Sequence, residues 1–337
     1  MDRLKGRVVV VTGGSAGLGR AIVRAFAARG ANVGVVARES RRLHDTEREL
    51  ELLGVRALAV PVDVADGEAL DAAAERIEAA IGPIDVWVNN AMTTVFSRFD
   101  EMSPAEFRRV TEVTYLGFVN GTMAALRRMR RRNRGTIVQV GSALAYRSIP
   151  LQSAYCGAKH AIRGFTNSLR SELIHDRSAI RLTMVHMPGL NTPQFDWCEN
   201  HLPREAQPVG VVLQPEVGAR AVVWSALHRR RELDVGWTVL KTIVGNKGLP
   251  GYGDRLAARK AYEPQMAPEP KVVERRRNLY EPVELPVAAR GRFDRARSWS
   301  PELWLSTHRR SLLVALFAAG GLFMALRRRR VSASWSS

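Results

Sequence analysis

Short runs of β-branched and apolar residues alternate with longer segments of helical spacing through the first 250 residues. Short apolar runs are typical of buried strands, and apolar positions three and four residues apart are typical of amphipathic helices. The alternation predicts an α/β fold in which helices cover both faces of a parallel sheet. The predicted strands begin at Arg7 and span residues 31–37, 55–62, 84–88, 136–141 and 181–187.

The pattern changes near residue 251. From there to Arg310, proline, arginine and glutamate dominate and few apolar positions recur regularly, which favours a linker or an extended arm. Residues 311–326 are uncharged, and residues 327–337 form a basic and polar tail. We therefore expect a single domain at residues 1–250, followed by an arm at 251–310, a hydrophobic helix and a short tail.

The uncharged segment 311–326 has three competing interpretations: a membrane anchor, a helix in the membrane interface, and a helix buried on the domain or in a dimer interface. As a helix it would span about 24 Å, which is less than the ~30 Å hydrocarbon core of a bilayer. Arginines on both sides could extend to the interface and close that gap. Because the segment has no polar face, we expect a membrane anchor.

The net charge of +18 is unevenly distributed along the chain. Residues 255–337 hold 17 Lys and Arg against 7 Asp and Glu, so more than half of the excess lies outside the predicted domain. We therefore expect no nucleic-acid partner. The densest run, residues 127–134, is expected to end a helix, where cations complement the helix dipole. A membrane-facing patch is the alternative.

Two cysteines, Cys156 and Cys198, are too few for a disulfide framework and indicate a reducing compartment. The chain enters its first predicted strand directly after Gly6, without a secretory signal. We therefore expect the domain to be cytoplasmic, at the inner face of the membrane to which residues 311–326 would attach it.

Tyr155 and Lys159 stand four residues apart in a helical pattern, and Ser142 follows the predicted strand 136–141. Residues at this spacing share one helix face. A tyrosine hydroxyl titrates near pH ~10, so it can act as an acid or base near neutrality only if a positive charge stabilises the phenolate. Lys159 is placed to supply part of that charge, and a cationic nicotinamide ring could supply the rest.

A glycine-rich turn separates the first predicted strand from a helical pattern, and Gly13, Gly17 and Gly19 allow a diphosphate to approach the backbone. Arg38, rather than a carboxylate, ends the second strand, which favours the 2′-phosphate of NADP. A solvated surface arginine is the alternative. Asp63 ends the third strand, where its carboxylate could reach the adenine amino group.

These motifs together resemble the short-chain dehydrogenase/reductase family in its typical-length branch, over about residues 5–250. The resemblance implies a Rossmann-type doubly wound fold, NADP as cofactor with NAD as the alternative, and hydride transfer between an alcohol and a carbonyl. Tyr155 would relay the proton, Ser142 would bind the substrate oxygen, and Lys159 would also hold the nicotinamide ribose. The implied cofactor contacts are Thr12, Gly13, Ser15, Gly17, Leu18, Gly19, Arg38, Asp63, Val64, Asn90, Ala91, Tyr155, Lys159, Pro188, Gly189 and Thr192.

Two positions depart from the family pattern. Thr114 stands where the family has an asparagine with a structural and proton-relay role. In the family that role depends on the backbone carbonyl, which any residue supplies, so we expect an active enzyme. We include Thr114 among the catalytic candidates. Met92 replaces a glycine and could line the substrate pocket. The family commonly forms dimers or tetramers, so a homo-oligomer is also expected.

By the resemblance, Thr192 would contact the nicotinamide carboxamide. The residues Phe195, Trp197, Cys198 and Leu202 follow it and would form a lid over the substrate. An apolar lid favours an apolar substrate, whereas a loop that only packs its aromatic rings on the domain is an equal alternative. The histidines are scattered without metal-ligand spacing, so we expect no metal.

The leading hypothesis is a membrane-tethered, NADP-preferring oxidoreductase that acts on a small-molecule alcohol or carbonyl. A non-catalytic NADP-binding sensor or scaffold at the membrane is one alternative, supported by Thr114. A binder of nucleic acid or anionic lipid that uses the arginine-rich arm is another, and its binding would depend on salt.

Overall fold

A seven-stranded parallel sheet forms the centre of the computed structural model, which describes residues 3–272, 276–284, 289–309 and 311–312. The strand order is β7-β6-β5-β4-β1-β2-β3, and every neighbouring pair is parallel. The chain thus starts at the centre and winds outward twice, as the resemblance implied. The strands are β1 Val8–Thr12, β2 Asn32–Ala37, β3 Ala57–Pro61, β4 Ile84–Asn89, β5 Thr136–Ser142, β6 Arg181–Met187 and β7 Glu232–Asp234.

Ten α-helices connect and extend these strands in the described part of the chain as far as Lys260, and a further helical segment follows at residues 301–309. A π-helical turn at Glu112–Leu116 joins the fourth and fifth of them. The helices are α1 Gly17–Ala27, α2 Arg41–Leu52, α3 Gly67–Ile81, α4 Pro104–Thr111, α5 Gly117–Arg132, α6 Ser153–His175, α7 Gln194–Trp197, α8 Pro215–Leu227, α9 Trp237–Gly248 and α10 Pro250–Lys260.

Two apolar layers hold the helices on the sheet. Successive side chains of a strand point to opposite faces, so Val9 and Val11 of β1 pack with α1, α2 and α8, whereas Val8 and Val10 pack with α3, α5 and α6. All five residues of β1 are buried. A continuous apolar run is therefore required in a strand that is covered on both sides.

Polar residues define several helix ends. Ser103 and Glu106 form a capping box at the start of α4, and the Asp66 side chain accepts a hydrogen bond at the start of α3. The arginine run fills the last turn of α5 with Arg130, Arg131 and Arg132, where cations are favoured. Asn133 then ends the helix in the left-handed region at φ 43°.

The seventh strand was absent from the sequence prediction. β7 is only three residues long and contains two acidic residues, so it has neither the length nor the apolar pattern of a buried strand. Its place beside β6 is set by parallel pairing of Leu233 with Val185.

Several described segments of the arm after residue 250 pack on the domain. Met266–Pro270 pairs antiparallel with Arg204–Ala206, and residues 301–309 are helical. Within the described ranges, no helix is both long and apolar enough to cross a bilayer. The expected anchor, residues 311–326, falls outside the described residues except for its first two positions.

Candidate active site

One cavity of about 480 Å³ opens at the carboxyl edge of the sheet, where parallel-sheet folds place their ligand sites. It collects almost all the predicted site residues from turns far apart in sequence. Those lining it are Gly13, Ser15, Gly17, Leu18, Gly19, Arg38, Asp63, Val64, Asn90, Ala91, Ser142, Tyr155, Lys159, Pro188, Gly189 and Thr192. Thr12 and Thr114 do not line it.

The turn between β1 and α1 requires glycine for steric reasons. Gly13 has φ +68°, and a Cβ there would lie 2.8 Å from Ala91 Cα. A Cβ on Gly19 would lie 2.0 Å from the Gly13 carbonyl oxygen. Ala16 begins α1 without a side chain that could cap it, so the helix N-terminus is presented to the cavity. This loop fits a dinucleotide diphosphate.

Thr12 supports the loop from beneath. Its hydroxyl oxygen accepts hydrogen bonds from the backbone N–H groups of Asn90, at 3.0 Å, and Ala91, at 3.1 Å. In return, the Asn90 side chain donates to the Thr12 carbonyl at 3.0 Å. Thr12 therefore fixes the segment after β4 against the glycine-rich turn without itself reaching the cavity.

Three of the four catalytic candidates, all except Thr114, meet at the inner end of the cavity. Ser142 ends β5, while Tyr155 and Lys159 lie on the first turns of α6. The Lys159 ammonium lies 5.5 Å from the centroid of the Tyr155 ring and donates to the Val140 carbonyl at 2.9 Å. The Phe118 ring is 4.6 Å from the same ammonium. Lys159 is buried, at 2 % exposure.

The electrostatics of this trio differ from the sequence expectation. Burial raises the pKa of Tyr155 above its ordinary range, and a hydrogen bond from Ser142 only partly opposes that effect. Burial also lowers the pKa of Lys159 to about 7. Because Lys159 loses its proton well below the pH at which Tyr155 would ionise, its positive charge is absent when the phenolate forms and does not lower the pKa of Tyr155 in the protein alone.

Arg38 lines the opposite end of the cavity with Asp63. Its two terminal nitrogens donate to the backbone carbonyls of Asn278 and Tyr280, each at 2.6 Å. Arg109 donates to Asp63 and, through Nε, to the Leu279 carbonyl at 3.0 Å. The Asp63 carboxylate therefore has a cationic partner at the edge of the cavity.

The lid residues divide between two roles. Phe195 and Trp197 line the cavity. Cys198 and Leu202 do not line it and instead pack with Phe96 in a small apolar cluster beside the cavity, which Phe195 also contacts. The segment therefore both lines the cavity and packs on the domain.

The structure shows what surrounds Met92 and Thr114, the two residues that depart from the family pattern. Met92 lines the cavity. Thr114 is fully buried in the π-helical turn, where its hydroxyl donates to the Thr93 carbonyl at 2.7 Å and accepts from the Thr93 N–H at 3.0 Å. The hydroxyl thus braces the segment after β4, and it is not directed at the reacting groups.

Several cavity residues had no signal in the sequence. Arg42, Leu279, Pro282 and Val283 line the cavity, and all but Arg42 come from the arm. Arg42 lies 5.0 Å from the centroid of the Trp197 ring. No local motif could have identified these residues, because the arm returns to α2 across more than two hundred positions of sequence.

The histidines do not form a centre in the cavity. His186 is buried beside Ser142, and its Nε2 lies 3.3 Å from a Glu232 carboxylate oxygen. Of the described residues, Glu106, Glu199 and His201 form one group with ligand atoms within 4.8 Å of one another. None of these residues lines the cavity, and the group is partly exposed.

A family model for short chain dehydrogenases matches residues 7–200. The chain is 30% identical over 283 residues to the uncharacterised oxidoreductase YxnA of Bacillus subtilis, covering 83% of this chain and 80% of that protein. It is 32% identical over 234 residues to 3-dehydrosphinganine reductase of Danio rerio, covering 67% and 70%. The structure of an alcohol dehydrogenase from Thermococcus sibiricus complexed with 5-hydroxy-NADP matches with a TM-score of 0.59 and 28% identity, over 68% of this chain and 95% of that chain.

Proposed function

The chain belongs to the short-chain dehydrogenase/reductase family and is an NAD(P)-dependent oxidoreductase, and we propose that it prefers NADP and interconverts an alcohol and a carbonyl on an apolar substrate. The observation that carries the proposal is the meeting of Ser142, Tyr155 and Lys159 with the glycine-rich loop around one cavity. A proton-transfer group and a diphosphate cradle thus face the same space.

The residues that would hold the cofactor follow from the cavity lining. Gly13 and Gly19 leave room for the diphosphate at the N-terminus of α1, and Thr192 would contact the carboxamide. When bound, the nicotinamide supplies or accepts the hydride. Arg38 is our proposed contact for a 2′-phosphate, because it replaces the carboxylate that would bind an unmodified ribose.

Tyr155 would donate its hydroxyl proton to the substrate oxygen during reduction and accept it during oxidation. Ser142 would hydrogen-bond the same oxygen and orient the carbonyl. Because burial raises the pKa of Tyr155, the hydroxyl stays protonated at neutral pH and is suited to act as the acid. During oxidation the Tyr155 phenolate must accept the proton of the alcohol, and a positive charge nearby is needed to stabilise that phenolate. Lys159 would supply this charge whenever it is protonated.

An apolar substrate is supported by the walls near Tyr155. Phe96, Leu144 and Ile149 line the cavity there, together with Phe195 of the lid. The similarity to the relative named 3-dehydrosphinganine reductase also supports an apolar substrate. Apolar walls with a few converging polar groups are typical of sites for hydrophobic small molecules.

NADPH oxidation by the purified protein, measured with aliphatic, aromatic and sphingoid ketones and aldehydes, tests this function. We expect turnover with a long-chain carbonyl, stronger with NADPH than with NADH. Turnover that favours short polar carbonyls would contradict the substrate class, and equal use of NADH would contradict the cofactor preference.

We also propose that the catalytic domain is cytoplasmic, that residues 311–326 attach it to the inner face of a membrane, and that it forms a homo-oligomer. The support for attachment is the uncharged sequence between arginines at 309–310 and 327–330. Fractionation of the full chain and of a version ending at residue 310 tests the attachment. The full chain is expected with the membrane and the shortened one in the supernatant. Sedimentation of the shortened chain measures the oligomer.

A further inference from the structure

A short segment of the arm, residues 276–284, crosses the end of the cavity occupied by Arg38 and Asp63. We call it the strap. Leu279 anchors it, at 1 % exposure, in an apolar cluster with Val95, Val110 and Ala154. The Asn278 N–H also donates to the Trp197 carbonyl at 2.8 Å, which joins the strap to the lid.

Three arginines bind the strap through its backbone carbonyls. Arg38 donates to Asn278 and Tyr280, Arg109 donates to Leu279, and Arg42 donates to Val283. These arginines come from the end of β2, from α4 and from the first turn of α2. The strap thus accepts hydrogen bonds from the basic groups that surround this end of the cavity.

A phosphate monoester would bind the same guanidinium groups. A guanidinium binds a phosphate best through two parallel N–H groups. Both terminal nitrogens of Arg38 already donate to strap carbonyls at 2.6 Å. The glycine-rich loop, Tyr155 and Lys159 have no contact with the strap among the hydrogen bonds of the described residues. The strap therefore bonds directly to the proposed donors for a 2′-phosphate, lines the same end of the cavity through Leu279, and makes no hydrogen bond to the described diphosphate and proton-transfer residues.

We propose that the strap determines cofactor specificity by competing with the 2′-phosphate of NADP for Arg38. With the strap seated, a 2′-phosphate must displace the carbonyls of Asn278 and Tyr280 from Arg38, whereas NAD brings only an uncharged 2′-hydroxyl to that position. With the strap released, Arg38 binds the phosphate and the preference for NADP increases. This inference rests on the proposed nucleotide site and on the role of Arg38 within it.

The magnitude follows from the fraction of molecules with the strap released, because the apparent Kd equals the intrinsic Kd divided by that fraction. A Leu→Ala change in a packed cluster shifts such an equilibrium by at least about 30-fold. The gain in NADPH binding stops once most molecules have a released strap. Leu279→Ala should therefore raise the ratio of the NADH Kd to the NADPH Kd by about 10-fold. Because the readout is a ratio, any loss common to both nucleotides cancels.

Fluorescence titrations with NADPH and NADH test this on the full chain. Leu305→Ala is the matched control, because Leu305 is an exposed leucine of the arm, at 51 % exposure. The ratio should rise in Leu279→Ala and stay unchanged in Leu305→Ala. In an Arg38→Ala background, Leu279→Ala should no longer change it, because the group for which the strap competes is gone.

A second measurement uses the unmodified protein and decides the matter even if Leu279→Ala does not fold. The probe is 2′,5′-ADP, which carries the 2′-phosphate, with 5′-ADP as the control ligand. We expect 2′,5′-ADP, but not 5′-ADP, to accelerate tryptic cleavage after Arg276 and Arg277, located by mass spectrometry. Equal cleavage with both ligands would overturn the competition.

The outcomes separate this inference from the proposed function. An unchanged or lower ratio in a folded Leu279→Ala variant would overturn the inference while both nucleotides still bind. Failure of the unmodified protein to bind either nucleotide would overturn the proposed function and the inference with it.

Discussion

Replacing Lys159 with methionine should stabilise the fold and abolish turnover. Lys159 is buried with a pKa lowered from 10.5 to about 7. Each pKa unit corresponds to 1.36 kcal/mol, so burying the ammonium rather than the neutral amine costs about 5 kcal/mol. Methionine has a similar length and no charge. In the variant the Val140 carbonyl loses its hydrogen bond, and this loss reduces the stabilisation by about 1–3 kcal/mol.

The sign of the pH dependence follows from the lowered pKa. Between pH about 7 and pH 10.5, the unfolded chain binds a proton at Lys159 that the folded chain does not. The stability of the unmodified protein therefore rises with pH through this window. Lys159→Met lacks this pH-dependent contribution. Its free energy of unfolding is therefore expected to exceed that of the parent by about 2–4 kcal/mol at pH 6, and the difference should shrink by about 2–3 kcal/mol at pH 9.

Urea unfolding followed by circular dichroism at pH 6 and pH 9, without nucleotide, measures the two free energies of unfolding. Lys260→Met is the control, because it removes an exposed lysine and should change neither value appreciably. Two results would refute the reasoning. One is a Lys159→Met variant that is less stable than the parent at pH 6, and the other is an advantage that does not narrow at pH 9.

Three further changes test other parts of the site. Arg38→Ala should weaken NADPH binding about 10-fold or more and leave NADH binding nearly unchanged, since charge-assisted hydrogen bonds contribute about 1.5–3 kcal/mol; equal losses for both nucleotides in titrations would contradict the assignment. Thr114→Val should lower the free energy of unfolding by about 2 kcal/mol or more, because it leaves the buried N–H and carbonyl of Thr93 without their partner; a large loss of turnover in a variant of unchanged stability would instead favour a catalytic hydroxyl. Gly19→Ala should abolish nucleotide binding, since its Cβ would lie 2.0 Å from the Gly13 carbonyl oxygen. Gly164→Ala in α6 is the control, because a Cβ there meets nothing within 4 Å; this variant should bind nucleotide normally and unfold at a slightly higher urea concentration.

The parts predictable from sequence were those fixed by local patterns. The six longer strands, the glycine-rich turn and the Tyr155-Lys159 spacing each depend on a few neighbouring residues, and the fold and the cavity contain them where the sequence indicated. β7 could not be predicted, because three residues with two carboxylates depend on pairing with β6.

The surroundings of the site depend on long-range contacts and had no local signal. Arg38 has the chemistry of a phosphate contact in sequence, but its partners in the fold are carbonyls some 240 positions later. The helical spacing gives the distance between Tyr155 and Lys159 but not the depth of burial. That burial raises the pKa of one group and lowers that of the other.

The most direct test of the central claim compares the parent protein with Tyr155→Phe for both NADPH binding and carbonyl reduction. Phenylalanine removes only the hydroxyl, so NADPH binding is expected within about twofold of the parent, while turnover falls by about 10²–10⁴-fold. A Tyr155→Phe variant that binds NADPH and reduces the best carbonyl at the parent's rate would contradict the proposal that Tyr155 transfers the proton.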